Sequence, residues 1–280
     1  MTFAPLVSTA WLAEHTDDAS LVILDASWFM PGSPRDPAAE YAAAHIPGAV
    51  RFDIDAISEH SSDLPHMMAT ASDFATAVRR LGVEPQSLVV VYDATGVFSA
   101  PRVWWNFRAM GHERVAVLDG GLPKWVAEGR PVETGWREPS HGEFKAHADP
   151  QVVADLMGVR QSLTDANVQV VDARPALRFA GKAPEPREGV RGGHMPGAIN
   201  VPWDAVIENG VMRTADSLRE VFSGAGVDLS RPIITTCGSG ISASVLALAL
   251  AVLGRGDVAV YDGSWTEWGS RTDTPVVTDA

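Results

Sequence analysis

The chain carries one cysteine, and its neighbours determine what chemistry that thiol can do. Cys237-Gly238-Ser239-Gly240-Ile241-Ser242 follows the apolar run Ile233-Ile-Thr-Thr and opens a helical stretch, Ser242 to Leu253. A strand that empties into a glycine-bearing loop and a helix start aims several backbone N–H groups at one point, and the helix dipole adds positive potential there. A sulfur at that point would be held as the thiolate, the form that attacks. A free cysteine without such surroundings is usually a small buried hydrophobe, and the strand–loop–helix setting argues against that here.

A second cluster of reactive types lies upstream. Between Arg174 and Gly193 stand Arg174, Arg178, Lys182, Arg187 and Arg191 against only Glu185 and Glu188. Local positive charge in an acidic chain suggests recognition of a small anion, with Arg178 and Arg187 able to grip a carboxylate in a two-pronged fashion. On composition alone, a solvated loop whose arginines pair with carboxylates is equally open.

The elements that must position these groups are written twice. Leu21-Val-Ile-Leu-Asp25-Ala recurs as Val168-Gln-Val-Val-Asp172-Ala, and His45-Ile-Pro-Gly-Ala49 as His194-Met-Pro-Gly-Ala198. Leu88-Val-Val-Val-Tyr-Asp93 matches Ile233-Ile-Thr-Thr-Cys237, and Val115-Ala-Val-Leu-Asp119-Gly matches Val258-Ala-Val-Tyr-Asp262-Gly. Four anchors in one order indicate a tandem duplication. In each copy short β-branched runs (Leu88–Tyr92, Val115–Leu118, Ile233–Thr236, Val258–Tyr261) alternate with helical stretches such as Ser72–Leu81, Ala100–Met110 and Ala215–Phe222. That pattern predicts an α/β fold with a parallel sheet flanked by helices in each copy. The expected domains are 1–135, a proline-rich linker at 136–150, and 151–280. Asp93 stands where the second copy has Cys237, so its own charge would fill the cradle, leaving copy one degenerate and copy two active.

Composition bounds the rest. With 280 residues, 46% hydrophobic and 20% charged, the chain has material for two globular cores. A net charge of −13 disfavours nucleic acid and anionic membranes as partners. The apolar run Val245–Leu253 is too short to span a bilayer, and the first basic residue is Arg35, so neither a membrane span nor a signal or transit peptide is expected. A cytoplasmic location follows as the expectation. One cysteine excludes an internal disulfide and a cysteine-cluster metal site, and neither a metal nor an organic cofactor is expected.

Three motifs together resemble the tandem rhodanese family: Tyr41-Ala-Ala-Ala-His45-Ile-Pro-Gly-Ala49-Val-Arg-Phe52, Tyr261-Asp-Gly-Ser-Trp-Thr-Glu267-Trp268, and Ser99-Ala-Pro-Arg-Val-Trp104-Trp105. Cys237-Gly-Ser239-Gly is similar to the loop of the 3-mercaptopyruvate sulfurtransferase subgroup, whereas thiosulfate sulfurtransferases carry basic residues there; Ile241-Ser242 replaces the subgroup's Val-Thr. The resemblance implies two rhodanese-like domains and an enzyme in which Cys237 takes sulfur from 3-mercaptopyruvate. The resulting persulfide would pass it to thioredoxin, a small thiol or cyanide, with release of pyruvate. It further implies that Arg178 and Arg187 hold the substrate carboxylate and keto oxygen. The loop N–H groups of Gly238, Gly240, Ile241 and Ser242 would bind the anionic sulfur. A Ser239–His45–Asp36 relay, drawn from both copies, would polarise the substrate, although His194 repeats His45 and Asp36 sits in a turn-like Pro-Arg-Asp-Pro. Thiosulfate as donor is the alternative within the family.

Readings from other classes are weaker. Gly238-x-Gly240-x-x-Ala243 fits a dinucleotide fingerprint, but few residues follow Asp262 to complete such a sheet. A cysteine phosphatase would need an arginine where Ala243 stands. A non-catalytic binding module suits copy one alone.

Overall fold

Runs of branched apolar residues become the central strands because both faces of each are covered. The computed structural model describes residues 3–165 and 167–279. Two compact units emerge: Met1–Glu59, Met68–Asp149 and Asn209–Met212 form the first, and His60–Met67, Pro150–Glu208 and Arg213–Ala280 the second. Each half of the sequence thus lends the other unit a short segment that the repeat pattern does not reveal.

In the first unit β1 (Leu6–Val7), β2 (Leu21–Asp25), β3 (Val50–Arg51), β4 (Leu88–Tyr92) and β5 (Val115–Leu118) form one parallel sheet in the order β1-β5-β4-β2-β3. Parallel neighbours need crossovers, and α1 (Thr9–His15), α2 (Pro37–Ala43), α3 (Ala71–Arg80) and α4 (Ala100–Ala109) lie in them, while α5 (Gly121–Ala127) follows the last strand. Ser8, Asp36 and Thr70 cap the first three helices through their side-chain oxygens.

The second unit repeats the plan. Strands β6 (Val153–Ala154), β7 (Gln169–Asp172), β8 (Ile199–Asn200), β9 (Ile233–Thr236) and β10 (Ala259–Tyr261) run parallel in the order β6-β10-β9-β7-β8. Helices α6 (Leu156–Ser162), α7 (Ala176–Phe179), α8 (Ala215–Gly224), α9 (Ile241–Val252) and α10 (Ser264–Ser270) surround the sheet. The identical strand orders express the duplication in three dimensions. The edge strands β1 and β6 are two residues each and leave no readable period in the sequence. Thr236 pairs with Asp172, so the strand end that delivers Cys237 lies beside the one that delivers Arg174.

Side-chain burial follows the pattern. Val90, Tyr92, Leu118 and Trp125 share one core with Ile46, and Val170, Tyr261, Trp265 and Trp268 share the other with Met195. Helix α9 is apolar on every side and buried along nearly its whole length, which explains why its apolar run is a core helix. Among the described residues no helix is long and apolar enough to cross a membrane, and no group of three or more His, Cys, Asp or Glu side chains could hold a metal ion.

The proline-rich stretch expected as a linker is instead bound along the first unit. Gly142 and Phe144 donate backbone N–H groups to Arg79 and Val83, and His147 and Asp149 donate to Met110 and Ala109. The Phe144 ring is 1% exposed, packed edge-on against Phe74, Phe107 and His112. Backbone hydrogen bonds and the buried Phe144 ring together hold this segment on the first unit.

Candidate active site

The first unit displays what the strand–loop–helix junction can hold. Asp93 follows β4, and its Oδ1 accepts the backbone N–H groups of Thr95 (2.8 Å) and Gly96 (2.9 Å). Its Oδ2 accepts those of Phe98 (2.8 Å), Ser99 (2.9 Å) and Ala100 (2.9 Å). Five peptide donors therefore converge on one carboxylate at the start of α4. The loop is an anion cradle, and in this unit Asp93 occupies it permanently.

The second unit builds the same junction around Cys237. Its carbonyl accepts the N–H of Trp265 at 2.8 Å, and the Gly238 carbonyl accepts both the N–H (2.9 Å) and the hydroxyl (2.6 Å) of Thr266. In a planar trans peptide the carbonyl and the next N–H point in opposite directions. Anchoring these two carbonyls on α10 therefore turns the Gly238 and Ser239 N–H groups away from α10. Gly240 enters α9 at φ 83°, a left-handed conformation that favours glycine. The Cys237 N–H donates to Ser264 Oγ at 3.3 Å, and Ser264 in turn donates to the Tyr261 carbonyl. Ser264 has φ 50°, a strained backbone for serine. Cys237 is 2% exposed, at the base of the loop.

Ser239 has a partner that sequence reasoning did not find. Its hydroxyl and His66 Nδ1 share a hydrogen bond of 3.0 Å, and both side chains are buried. His66 also has a left-handed backbone, φ 61°, unusual for a non-glycine residue and typical of functional positions. The available signal was weak: a histidine in Leu-Pro-His66-Met-Met, in a segment without a repeat mate.

The two other residues expected in a relay with Ser239, His45 and Asp36, make local contacts within the first unit. His45 stacks on Tyr41 at 4.2 Å, its Nδ1 pairs with the Tyr41 carbonyl, and its backbone bridges to Glu133. His194 does the same in the second unit, stacked on Phe179 with its backbone bridged to Val277. The two repeat-related histidines thus make matching local contacts. Asp36 accepts the N–H groups of Ala38 and Ala39 as the cap of α2 and shares no hydrogen bond with His45.

The arginine cluster is a buried network. Arg174 grips Asp172 through Nε (3.0 and 3.1 Å) and Nη2 (2.7 Å), and reaches Glu185 Oε1 through Nη1 at 2.9 Å. Burial opposes the Arg174 charge, but the two carboxylates outweigh it and raise its hold on its proton. Glu185 Oε2 accepts from Arg178 Nε and Nη2. Much of the local positive charge read from the sequence is thus neutralised internally. Arg178 nevertheless stands at the loop: a Cβ built on Gly238 would lie 3.3 Å from its Nη2. Its side chain is 18% exposed. Arg187 lies partly buried in the segment that joins α7 to β8. Ile241 and Ser242 open α9, so their N–H groups occupy its first turn.

The chain resembles known proteins over nearly its whole length. Residues 8–128 and 158–271 each match the model of the rhodanese-like domain. The chain is 46% identical over 271 residues to 3-mercaptopyruvate sulfurtransferase of Escherichia coli (strain K12), covering 96% of each. It is 41% identical to thiosulfate/3-mercaptopyruvate sulfurtransferase 1 of Arabidopsis thaliana, covering 98% of this chain and 78% of that protein. The crystal structure of SseA from Escherichia coli superposes with a TM-score of 0.87 at 44% identity, covering 94% of this chain and 99% of that one.

Proposed function

Because the chain belongs to the rhodanese family and is a sulfurtransferase, as its near full-length relatives are, we propose that 3-mercaptopyruvate is its sulfur donor and Cys237 the carrier. The observation that carries this reading is the contrast between the two loops. One cradle is filled by the Asp93 carboxylate on five N–H groups, and its repeat mate is built around a thiol.

In this reading the Cys237 thiolate attacks the donor sulfur. The new S–S bond forms as the C–S bond of mercaptopyruvate breaks, and the electron pair leaves with carbon as the pyruvate enolate. The enolate takes a proton to become pyruvate. The loop N–H groups, from Gly238 through Ser242, stabilise the anionic sulfur before and after transfer. Arg178 and Arg187 take the carboxylate and keto oxygen. Ser239 and His66 serve the proton that the enolate requires, in place of the relay through His45 and Asp36.

An acceptor thiolate, from a small thiol or thioredoxin, or else cyanide, then attacks the outer sulfur and restores Cys237. No second cysteine exists to unload it internally. The cycle needs a reduced thiol at its start, which suits a reducing compartment such as the cytoplasm.

The runner-up donor is thiosulfate, supported by the double name of the Arabidopsis relative. Ser239 offers a neutral hydroxyl where a dianion would gain from a cation, which favours mercaptopyruvate. Steady-state assays with each donor test the choice. The expected result is a higher kcat/KM for pyruvate release from 3-mercaptopyruvate than for thiocyanate formation from thiosulfate and cyanide. The reverse order would reassign the donor.

A further inference from the structure

We propose that Arg174 is a positioning residue for sulfur transfer. It fixes Glu185, and Glu185 fixes the Arg178 guanidinium beside Gly238. The proposal rests on the sulfur-transfer reading above and extends it to a residue that is buried and lies outside the Cys237 loop.

The geometry forms a continuous chain. Asp172 ends β7 and clamps one edge of Arg174, whose Nη1 continues to Glu185 Oε1. The other Glu185 oxygen holds Arg178, so both oxygens of one carboxylate are committed to two guanidinium groups. Arg178 by itself is a long, four-torsion side chain, and this carboxylate restricts where its charge can stand. The same Arg174 braces the opposite side of the loop. Its guanidinium lies 4.1 Å from the centre of the Trp265 ring, and the Trp265 N–H donates to the Cys237 carbonyl. One buried cation thus connects the anion-gripping arginine with the peptide that aims the nucleophile.

The duplication supplies an internal control. In the first unit β2 also ends in aspartate, Asp25, but Ser27 stands where the second unit has Arg174. There the carboxylate is held by the Ser27 N–H, and Ser27 Oγ takes the Ala94 N–H. The unit that holds Asp93 in place of the cysteine therefore also has no arginine at this position. A parallel sheet of the same strand order forms without it, so the fold does not demand Arg174. Buried ion networks add little net stability over apolar packing, which leaves geometry at the loop as the reason for this one.

The test is a double-mutant cycle read in KM and kcat. Arg174→Lys keeps the charge but loses the planar donor set that spans Asp172 and Glu185 together. Alone it should raise KM for 3-mercaptopyruvate about tenfold while kcat changes less than about threefold, because ground-state placement of the substrate is what it disturbs. In an Arg178→Lys background the same substitution should add less than about twofold, since its target is already gone. An unchanged KM, or the same multiplication in both backgrounds, would overturn the proposal. Should Arg174→Lys fail to fold, Glu185→Gln interrupts the chain one step nearer the surface and is put through the same cycle with the same expected and overturning results. Wild-type protein that draws sulfur only from thiosulfate would sink the donor assignment alone, and the cycle is then read in thiosulfate KM. Wild-type protein inactive with both donors would sink the sulfur-transfer reading and this proposal with it.

Discussion

His66 and Ser239 lie 173 positions apart in sequence and share a 3.0 Å hydrogen bond within the second unit. The bond joins the hydroxyl of the Cys237 loop to an imidazole held on a strained backbone. If the pair acts as one proton-handling device, its members cannot contribute independently. Ser239→Ala and His66→Asn should each lower kcat with 3-mercaptopyruvate by about 100-fold, near the lower end for positioned acid–base groups, and the double variant should be little worse. Multiplying losses in the double variant would separate the two residues. His45→Asn should leave kcat within about threefold, since His45 shapes a turn.

Gly238 is where the anion-gripping arginine meets the loop. A methyl group there would press against Arg178 Nη2 from 3.3 Å, tighter than ordinary van der Waals contact. Gly238→Ala should raise KM for 3-mercaptopyruvate several-fold, because it presses on the guanidinium that Glu185 holds, and leave the thermal midpoint nearly unchanged, because the contact is with a side-chain end and not with backbone. An unchanged KM with a large fall in melting temperature would place the strain in the backbone instead.

Asp93 tests the cradle without any sulfur chemistry. An amide in its place keeps one acceptor oxygen but turns an NH2 group toward donors that the carboxylate now satisfies. Asp93→Asn should cost about 3 kcal/mol or more in denaturant unfolding of the first unit, given the worth of hydrogen bonds to a charged group. A loss below about 1 kcal/mol would mean that the five short contacts carry little energy.

The paired strand-end aspartates should respond oppositely. Asp172 is clamped by Arg174, so Asp172→Asn leaves a buried cation half-paired and should cost about 3–5 kcal/mol. Burial raises the Asp25 carboxyl above its usual range. The folded chain then binds that proton more tightly than the unfolded chain. Its contribution to stability therefore falls as pH rises from the ordinary carboxylate range through the folded value, and is recovered on acidification. Asp25→Asn should match or exceed wild-type stability at neutral pH and lose that advantage toward about pH 4, near the unperturbed carboxylate range. Melting curves across this range decide the matter, and a variant less stable than wild type at neutral pH would contradict it.

Much of this was legible in the residues. The four repeat anchors gave the α/β units, and Leu88–Tyr92, Val115–Leu118 and Ile233–Thr236 coincide with observed strands because long branched runs have few alternatives. The contrast of Asp93 with Cys237 was visible as a substitution at one repeat position. His66 was not, because it lies in a segment with no counterpart in the other copy and forms its contact far along the chain. Charge counting left open whether the arginines grip an anion or pair with carboxylates, and Arg174 and Arg178 share Glu185; pairing depends on side-chain direction, which composition does not encode. Phe144 stands in a largely polar stretch, and its ring partners Phe74 and Phe107 come from α3 and α4, which local composition does not reveal.

The central claim is that Cys237 carries sulfur taken from 3-mercaptopyruvate. Intact mass after a brief incubation of reduced protein with this donor, without acceptor, tests it most directly. The account predicts a gain of one sulfur atom, less of it with thiosulfate, none in Cys237→Ala, and its removal on adding a thiol. Reduced, folded protein that gains no sulfur from 3-mercaptopyruvate, or a Cys237→Ala variant that still gains it, would contradict the account.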